Sequence, residues 1–134
     1  PRTVSSAASD VYKRQAERFL GLPYLWGGRS AAGLDCSALV QLSLQAVGVA
    51  CPRNSGDQYD WAKSRSGTKV IERRDTRRGD LVFWPGHVGL CSSKTAFLHA
   101  NAHHHAVAAE ATQDALLRTD AASKAEGIIL RLAR

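Results

Sequence analysis

Asp35-Cys36-Ser37-Ala38-Leu39-Val40-Gln41-Leu42-Ser43-Leu44-Gln45-Ala46-Val47, closed by Gly48, is the stretch that decides the fold. Leu39, Leu42 and Ala46 share one helical stripe, with Val40, Leu44 and Val47 beside it, and Gly48 supplies a stop. So much apolar surface predicts a central, buried helix over 36–47. On its N-terminal side lies a loop rich in turn residues, Gly21, Pro23, Gly27, Gly28, Ser30 and Gly33, preceded by a helical pattern over 11–20. On its C-terminal side Asn54–Gln58 opens a shorter helix, in which Ser55 and Gln58 fit an S-x-x-Q capping box and Gly67 marks the end. Most of the remainder reads as strand: 69–71, 80–84, 87–91, 96–100, 106–110 and 127–132, with a short helix over 112–118. Only Pro85-Gly86 separates the second and third of these strands, which is room for a tight turn and nothing more. Tight turns between successive strands predict an antiparallel sheet, and helices packed on it give the α+β class.

The chain has 134 residues, 44% of them hydrophobic and 22% charged, the balance of one ordinary globular domain of roughly 100–150 residues. A domain of this size buries about two-thirds of its unfolded surface, so neither a metal nor a disulfide is needed for folding. The net charge of +6 favours anionic partners, but it is scattered. Its densest piece, Glu72-Arg73-Arg74-Asp75-Thr76-Arg77-Arg78, mixes in acids and reads as a solvated basic loop. No Lys/Arg run is interleaved with aromatics, so no nucleic-acid partner is expected. The longest apolar runs, such as 81–84 and 127–130, fall far short of the roughly 18 residues of a membrane span. The chain starts at Pro1, which reads as a fragment or a processed product, and 5–15 resembles translated adapter sequence. Residues 1–15 are therefore expected to be extraneous, and 16–134 to form a single domain.

Cys36, Cys51 and Cys91 are an odd count with no C-x-x-C pair, so a zinc or thioredoxin-type site is not expected. One functional thiol with two bystanders is the simpler account. Cys36 follows a Gly-rich loop and opens the most apolar helix, where unpaired amides and the positive end of the helix dipole favour a thiolate. The alternative is a buried structural thiol. A nucleophilic Cys needs a base. His87 follows the Pro85-Gly86 turn, and His99 ends or nearly ends the next strand, Phe97-Leu98-His99-Ala100. Neighbouring antiparallel strands would set His99 beside His87, giving a nucleophile, a base and a third group that fixes the imidazole. Taken singly, each histidine reads as well as a polar core residue. His103-His104-His105 puts only two imidazoles on one strand face, a poor zinc site, and reads as surface loop.

Tyr24-Leu25-Trp26-Gly27-Gly28, Asp35-Cys36-Ser37-Ala38-Leu39-Val40, Pro52-Arg53-Asn54-Ser55 with Gln58, Arg78-Gly79-Asp80-Leu81-Val82-Phe83-Trp84, Gly86-His87-Val88-Gly89 and Leu98-His99-Ala100 run in order along the chain. Together they resemble the NlpC-type cell-wall peptidases, a papain-like cysteine peptidase family of bacteria, and the match extends from about residue 19 to residue 110. The resemblance implies a papain-like α+β fold, with Cys36 as nucleophile, His87 as base, His99 as third polar residue and Tyr24 as an oxyanion donor. It implies hydrolysis of peptidoglycan stem peptides or muropeptides, at the bond from the γ-carboxyl of D-Glu to a diamino acid, with no cofactor and no metal. It further implies that Asp35 and Ser37 contact a free N-terminal L-Ala, with Trp26, Arg53 and Ser55 lining the substrate site. Asp35 and Ser55 read equally as helix caps, and Trp26 as core.

The family usually carries Gly where Ala38 stands, a change a helix tolerates. Relatives often carry SH3-type domains upstream, which are absent from this sequence and which shape the pocket in those proteins. By family, the location is the cell envelope or the exterior, with cytoplasmic recycling as the alternative. Two rival readings remain: an amidase or acyltransferase using the same Cys/His pair, and a non-catalytic wall-binding module.

Overall fold

The computed structural model describes residues 14–30, 32–101 and 105–132. Residues 14–18 are helical (α1), and a two-residue hairpin follows, β1 (Arg29–Ser30) with β2 (Gly33–Leu34). The two central helices are α2 (Cys36–Gln45) and α3 (Ser55–Ser64). The main sheet has six strands, β3 (Lys69–Ile71), β4 (Leu81–Trp84), β5 (His87–Cys91), β6 (Ala96–Asn101), β7 (Ala106–Ala111) and β8 (Ile128–Arg131), with α4 (Thr112–Ser123) between the last two. The spatial order is β3-β8-β4-β5-β6-β7, and every pairing is antiparallel.

Both faces of the sheet are covered, and the alternation of side chains along each strand shows how. Leu81, Phe83, Val88, Leu90, Leu98 and Ala100 join Leu39, Val40 and Leu44 of α2 in one core. Val82, Trp84, Cys91 and Phe97 point the other way and meet Ala115 and Leu116 of α4. The sheet is thus a wall between two helical layers, which is why β4 is buried along its whole length.

The turn that joins β4 to β5 is set by two residues. Pro85 fixes its own φ, Gly86 takes φ +76°, and Trp84 pairs with His87 directly across the turn. The strand that carries His87 therefore starts at a defined point.

Several expectations are corrected. The central helix ends at Gln45 instead of Val47, followed by a turn through Gly48 at φ +77°. The capping box at Ser55 does not form: Asn54 is the N-cap, without a side-chain cap bond, and Ser55 is the first helical residue. Gln58 is diverted inward, where its amide donates to the carbonyl oxygens of Ser37 and Pro52, both at 2.9 Å. The basic stretch is solvated at Glu72, Arg74, Asp75 and Arg77, as expected, but it is not an irregular loop. Arg73–Asp75 forms a 3₁₀ turn, Arg73 pairs with Asp120 at 2.7 Å, and Arg78 pairs with Glu17 at 3.0 Å. The helix expected over 112–118 continues to Ser123, and β1 and β2 were not expected. Among the described residues, no helix is long and apolar enough to cross a membrane.

Candidate active site

Asp35 starts α2. Its Oδ1 accepts the Ala38 backbone N–H at 2.8 Å, satisfying one of the amides a helix start leaves unpaired. The same carboxylate takes both ends of the Arg53 guanidinium, Nη1 to Oδ1 and Nη2 to Oδ2, each at 2.9 Å. Ser37 Oγ donates to Asp35 Oδ1 at 3.3 Å and accepts from Arg53 Nη1 at 2.9 Å, while Arg53 Nη2 also reaches the Gly28 carbonyl oxygen at 3.2 Å. Asp35, Ser37 and Arg53, named separately from the sequence, thus form one network that ties the Gly-rich loop to the helix start. Asp35 is both a cap and an ion-pair partner.

Cys36 is the first residue of α2 and is 8% exposed. Its Sγ lies 4.0 Å from the carbonyl oxygen of Gly86, the residue before His87. Burial pushes the thiol's pKa up, and the charge of Asp35 adds to this. Backbone amides of Val88, Ser37 and Cys36 itself pull it down without prevailing. The expected thiolate is therefore corrected: at this degree of burial, desolvation outweighs the amides, and the resting thiol is neutral.

His87 and His99 do meet. His87 Nε2 lies 2.8 Å from His99 Nδ1. Val88 and Leu90 belong to the α2 layer, so His87, Gly89 and Cys91 point toward α4. His99 is fully buried on that same side, two residues along from Phe97. Gly89 makes the approach feasible: a Cβ there would come within 2.3 Å of the Phe97 ring and 2.9 Å of the His99 Cβ. Burial, then His99 and the positive charge of Arg118, hold the His87 imidazole down to a pKa of about 3. The thiol and the imidazole are thus both neutral near neutral pH.

Three residues of this site were missed from the sequence. Glu110 Oε2 lies 2.7 Å from His99 Nε2. Arg118, on α4, grips both oxygens of Glu110 at 2.6 and 2.5 Å. The Asn101 amide lies against the His99 ring, its Nδ2 2.9 Å from Nε2 and 3.4 Å from Nδ1. The alternation along β7 was the available signal, since Glu110 is the acid on a strand of otherwise apolar residues paired to the strand of His99.

The remaining named residues fall in three places. Tyr24 is half-buried in a bridge to Leu34, and its phenol pKa is raised by burial and by the nearness of Cys36 and Asp35. Trp26 is 87% exposed, which overturns the core reading. Ser55 lines a cleft of about 270 Å³ with Tyr59, Phe83, Trp84, Pro85 and Gly86, next to the turn that faces Cys36. Cys51 and Cys91 are buried free thiols with pKa values pushed up to about 11 and about 12. His103 and His104, like residues 1–13, lie outside the described residues.

A central helix opened by a buried thiol and packed on an antiparallel sheet that brings two histidines together defines a papain-like α+β domain. The chain belongs to the NlpC/P60 family, whose model matches residues 21–123. It is 34% identical over 118 residues to the peptidoglycan endopeptidase RipB of Mycobacterium tuberculosis, a match that covers 75% of this chain and 46% of that protein. The solved structure of RipB superimposes with a TM-score of 0.74 at 29% identity, covering all of this chain and 69% of that one. The γ-D-glutamyl-L-lysine dipeptidyl-peptidase of Bacillus subtilis is 40% identical over 90 residues, 61% of this chain and 28% of that protein. The chain thus spans less than half the length of the curated relatives it matches.

Proposed function

We propose that this domain is a cysteine peptidase of the bacterial cell wall that hydrolyses peptidoglycan stem peptides, acting in the envelope or outside the cell. The observation that carries the reading is the approach of the Cys36 thiol, at the start of α2, to the carbonyl oxygen of Gly86, the residue before His87, whose imidazole in turn pairs with His99. Its family membership and the activities named for RipB and the B. subtilis enzyme support it.

The chemistry follows from two neutral partners. His87 takes the Cys36 proton as sulfur attacks the scissile carbonyl, so charge separates only as the bond forms. The oxyanion that develops is met by the Cys36 backbone N–H and the Tyr24 hydroxyl. The imidazolium of His87 returns its proton to the leaving amine. Water, deprotonated by His87, then splits the thioester, releasing the acid and restoring the thiol.

The bond we assign is that between the γ-carboxyl of D-Glu and a diamino acid, in peptides that begin with a free L-Ala. Asp35 supports this, with a constraint the sequence did not reveal. Its Oδ1 already carries Ala38, Ser37 and Arg53, whereas Oδ2 accepts Arg53 alone among the described residues. An ammonium group therefore has one acceptor atom there, Oδ2. Ser37 and Arg53 hold that carboxylate in place.

The test is mass spectrometry of L-Ala-γ-D-Glu-diaminopimelate incubated with the protein, beside its N-acetylated form. Release of L-Ala-γ-D-Glu from the free peptide, with the acetylated one cut more slowly, is the expected result. Cleavage elsewhere in the peptide contradicts the bond assignment. Transfer of the acyl group to an added amine in preference to water contradicts hydrolysis.

A further inference from the structure

We propose that Glu110, clamped by Arg118, fixes the tautomers of both histidines and thereby aims the lone pair of His87 Nδ1 at the Cys36 thiol. This rests on the reading of Cys36 as nucleophile and His87 as base, and it makes Glu110 and Arg118 positioning residues on the far face of the sheet.

The argument runs proton by proton. An ionised carboxylate only accepts, so the 2.7 Å contact with Glu110 Oε2 requires the proton of His99 to sit on Nε2. His99 is fully buried, which disfavours the imidazolium, and a neutral imidazole carries one N–H, so His99 Nδ1 is then an acceptor. The atom 2.8 Å away is His87 Nε2, which must therefore be the donor. Nδ1 of His87 is left unprotonated, and it is the ring nitrogen free of His99. Reverse the first tautomer and the chain inverts: His99 Nδ1–H donates to His87 Nε2, His87 Nδ1 carries the proton, and the base faces sulfur with no lone pair.

Arg118 acts at both ends of this order. Its fork fixes the Glu110 carboxylate through both oxygens. Its positive charge also opposes protonation of His87. The groups around His99 come from four elements: His87 on β5, Asn101 on its own strand, Glu110 on β7, and Arg118 on α4 with Asp114 beside it. The Asn101 amide nitrogen, which only donates, lies nearer Nε2, at 2.9 Å, than Nδ1, at 3.4 Å, and so opposes a proton on Nε2. Against it stands the Glu110 carboxylate, at 2.7 Å from the same Nε2 and clamped by Arg118, a charged acceptor that requires that proton.

Two measurements that need no substrate test this. Long-range ¹H–¹⁵N correlation spectra of the ¹⁵N-labelled chain at neutral pH should show His87 and His99 both neutral and both protonated on Nε2. A His99 imidazolium, or a His99 Nδ1–H tautomer with Asn101 donating to Nε2, overturns the proposal, and this reading of the wild-type chain depends on no variant folding. The second is the rate of Cys36 alkylation by iodoacetamide across pH. Glu110→Gln offers a donor as well as an acceptor, so the order is lost; the rate near neutral pH should drop roughly ten-fold or more and the profile should move to higher pH. Arg118→Lys keeps the charge but not the fork and should fall between the two. Rates and tautomers in Glu110→Gln equal to wild type overturn the proposal. Because neither readout uses a wall peptide, a chain with the predicted tautomers that cleaves no stem peptide sinks only the substrate reading.

Discussion

Cys36 is under opposing demands. Its place at a helix start offers amide donors to a thiolate, while its burial penalises the charge. The balance is a neutral thiol, which on the proposed mechanism becomes reactive only when His87 takes its proton. Cys36→Ala and His87→Ala should each abolish turnover while leaving the circular dichroism spectrum intact, and His99→Ala should reduce turnover less completely. Tyr24→Phe should lower kcat by about 10²–10³-fold with little change in KM, the pattern of a donor that acts on the oxyanion alone. A wild-type kcat in that variant removes Tyr24 from the mechanism. Cys51→Ala and Cys91→Ala should keep full kcat, since both thiols are buried in the packing of the two layers. At this scale Cys36 and His87 were legible because each opens an element that its neighbours define, whereas His99 lies inside β6 and was reached through the pairing of neighbouring strands. Glu110 was not, because the side chain that explains it, Arg118, stands inside the helix that follows β7 directly, and only the folded chain brings the two together.

Between elements, register does the positioning. The β5–β6 pairing is fixed by Leu90 opposite Leu98 and Cys91 opposite Phe97, and the ring of Phe97 then lies over Gly89. Gly89→Ala would put a methyl group where the Phe97 ring stands. We expect a cost of about 1–3 kcal/mol in urea unfolding, with activity falling further than stability because His99 is displaced too. A Gly89→Ala protein with unchanged unfolding and kcat would show that the strand pair yields without moving His99. The strands and the Pro85-Gly86 turn were readable because period-two alternation and turn chemistry are local. The capping box failed for a tertiary reason: Gln58 gains two buried carbonyl partners, from Ser37 and Pro52, which a local cap does not match. Likewise α4 read as a short, minor helix, because its pairing of Arg118 with Glu110 and of Asp120 with Trp84 and Arg73 has no local signature.

The molecule as a whole is a sheet with the thiol carried by the layer on one side and the anchor of the histidine pair by the layer on the other. The two meet at the end of β4 and β5. Its pH response should reflect both layers. His87 has a folded pKa of about 3 against an ordinary 6.5, so the unfolded chain binds the proton first, and stability falls as pH drops through that interval. Asp120 is held below its ordinary 3.8: burial opposes this, but hydrogen bonds from Trp84, the Gly127 amide and Arg73 prevail. Its contribution is present above that value and is lost as pH falls below it. Thermal unfolding should thus show Tm declining from about pH 6.5 downward, and His87→Gln should flatten the upper part of that decline. A Tm that holds level from pH 7 to 4 in the wild type would contradict the buried, neutral imidazole.

The central claim is that Cys36 attacks a wall stem peptide. It is tested most directly by quenching the reaction of the protein with L-Ala-γ-D-Glu-diaminopimelate in acid within the first turnover and measuring the intact mass, followed by peptide mapping. The account predicts a protein heavier by L-Ala-γ-D-Glu less one water, with the added mass on the peptide that carries Cys36 and absent from Cys36→Ala. Cleavage that proceeds in Cys36→Ala, or an adduct that maps to Cys51 or Cys91, would contradict it.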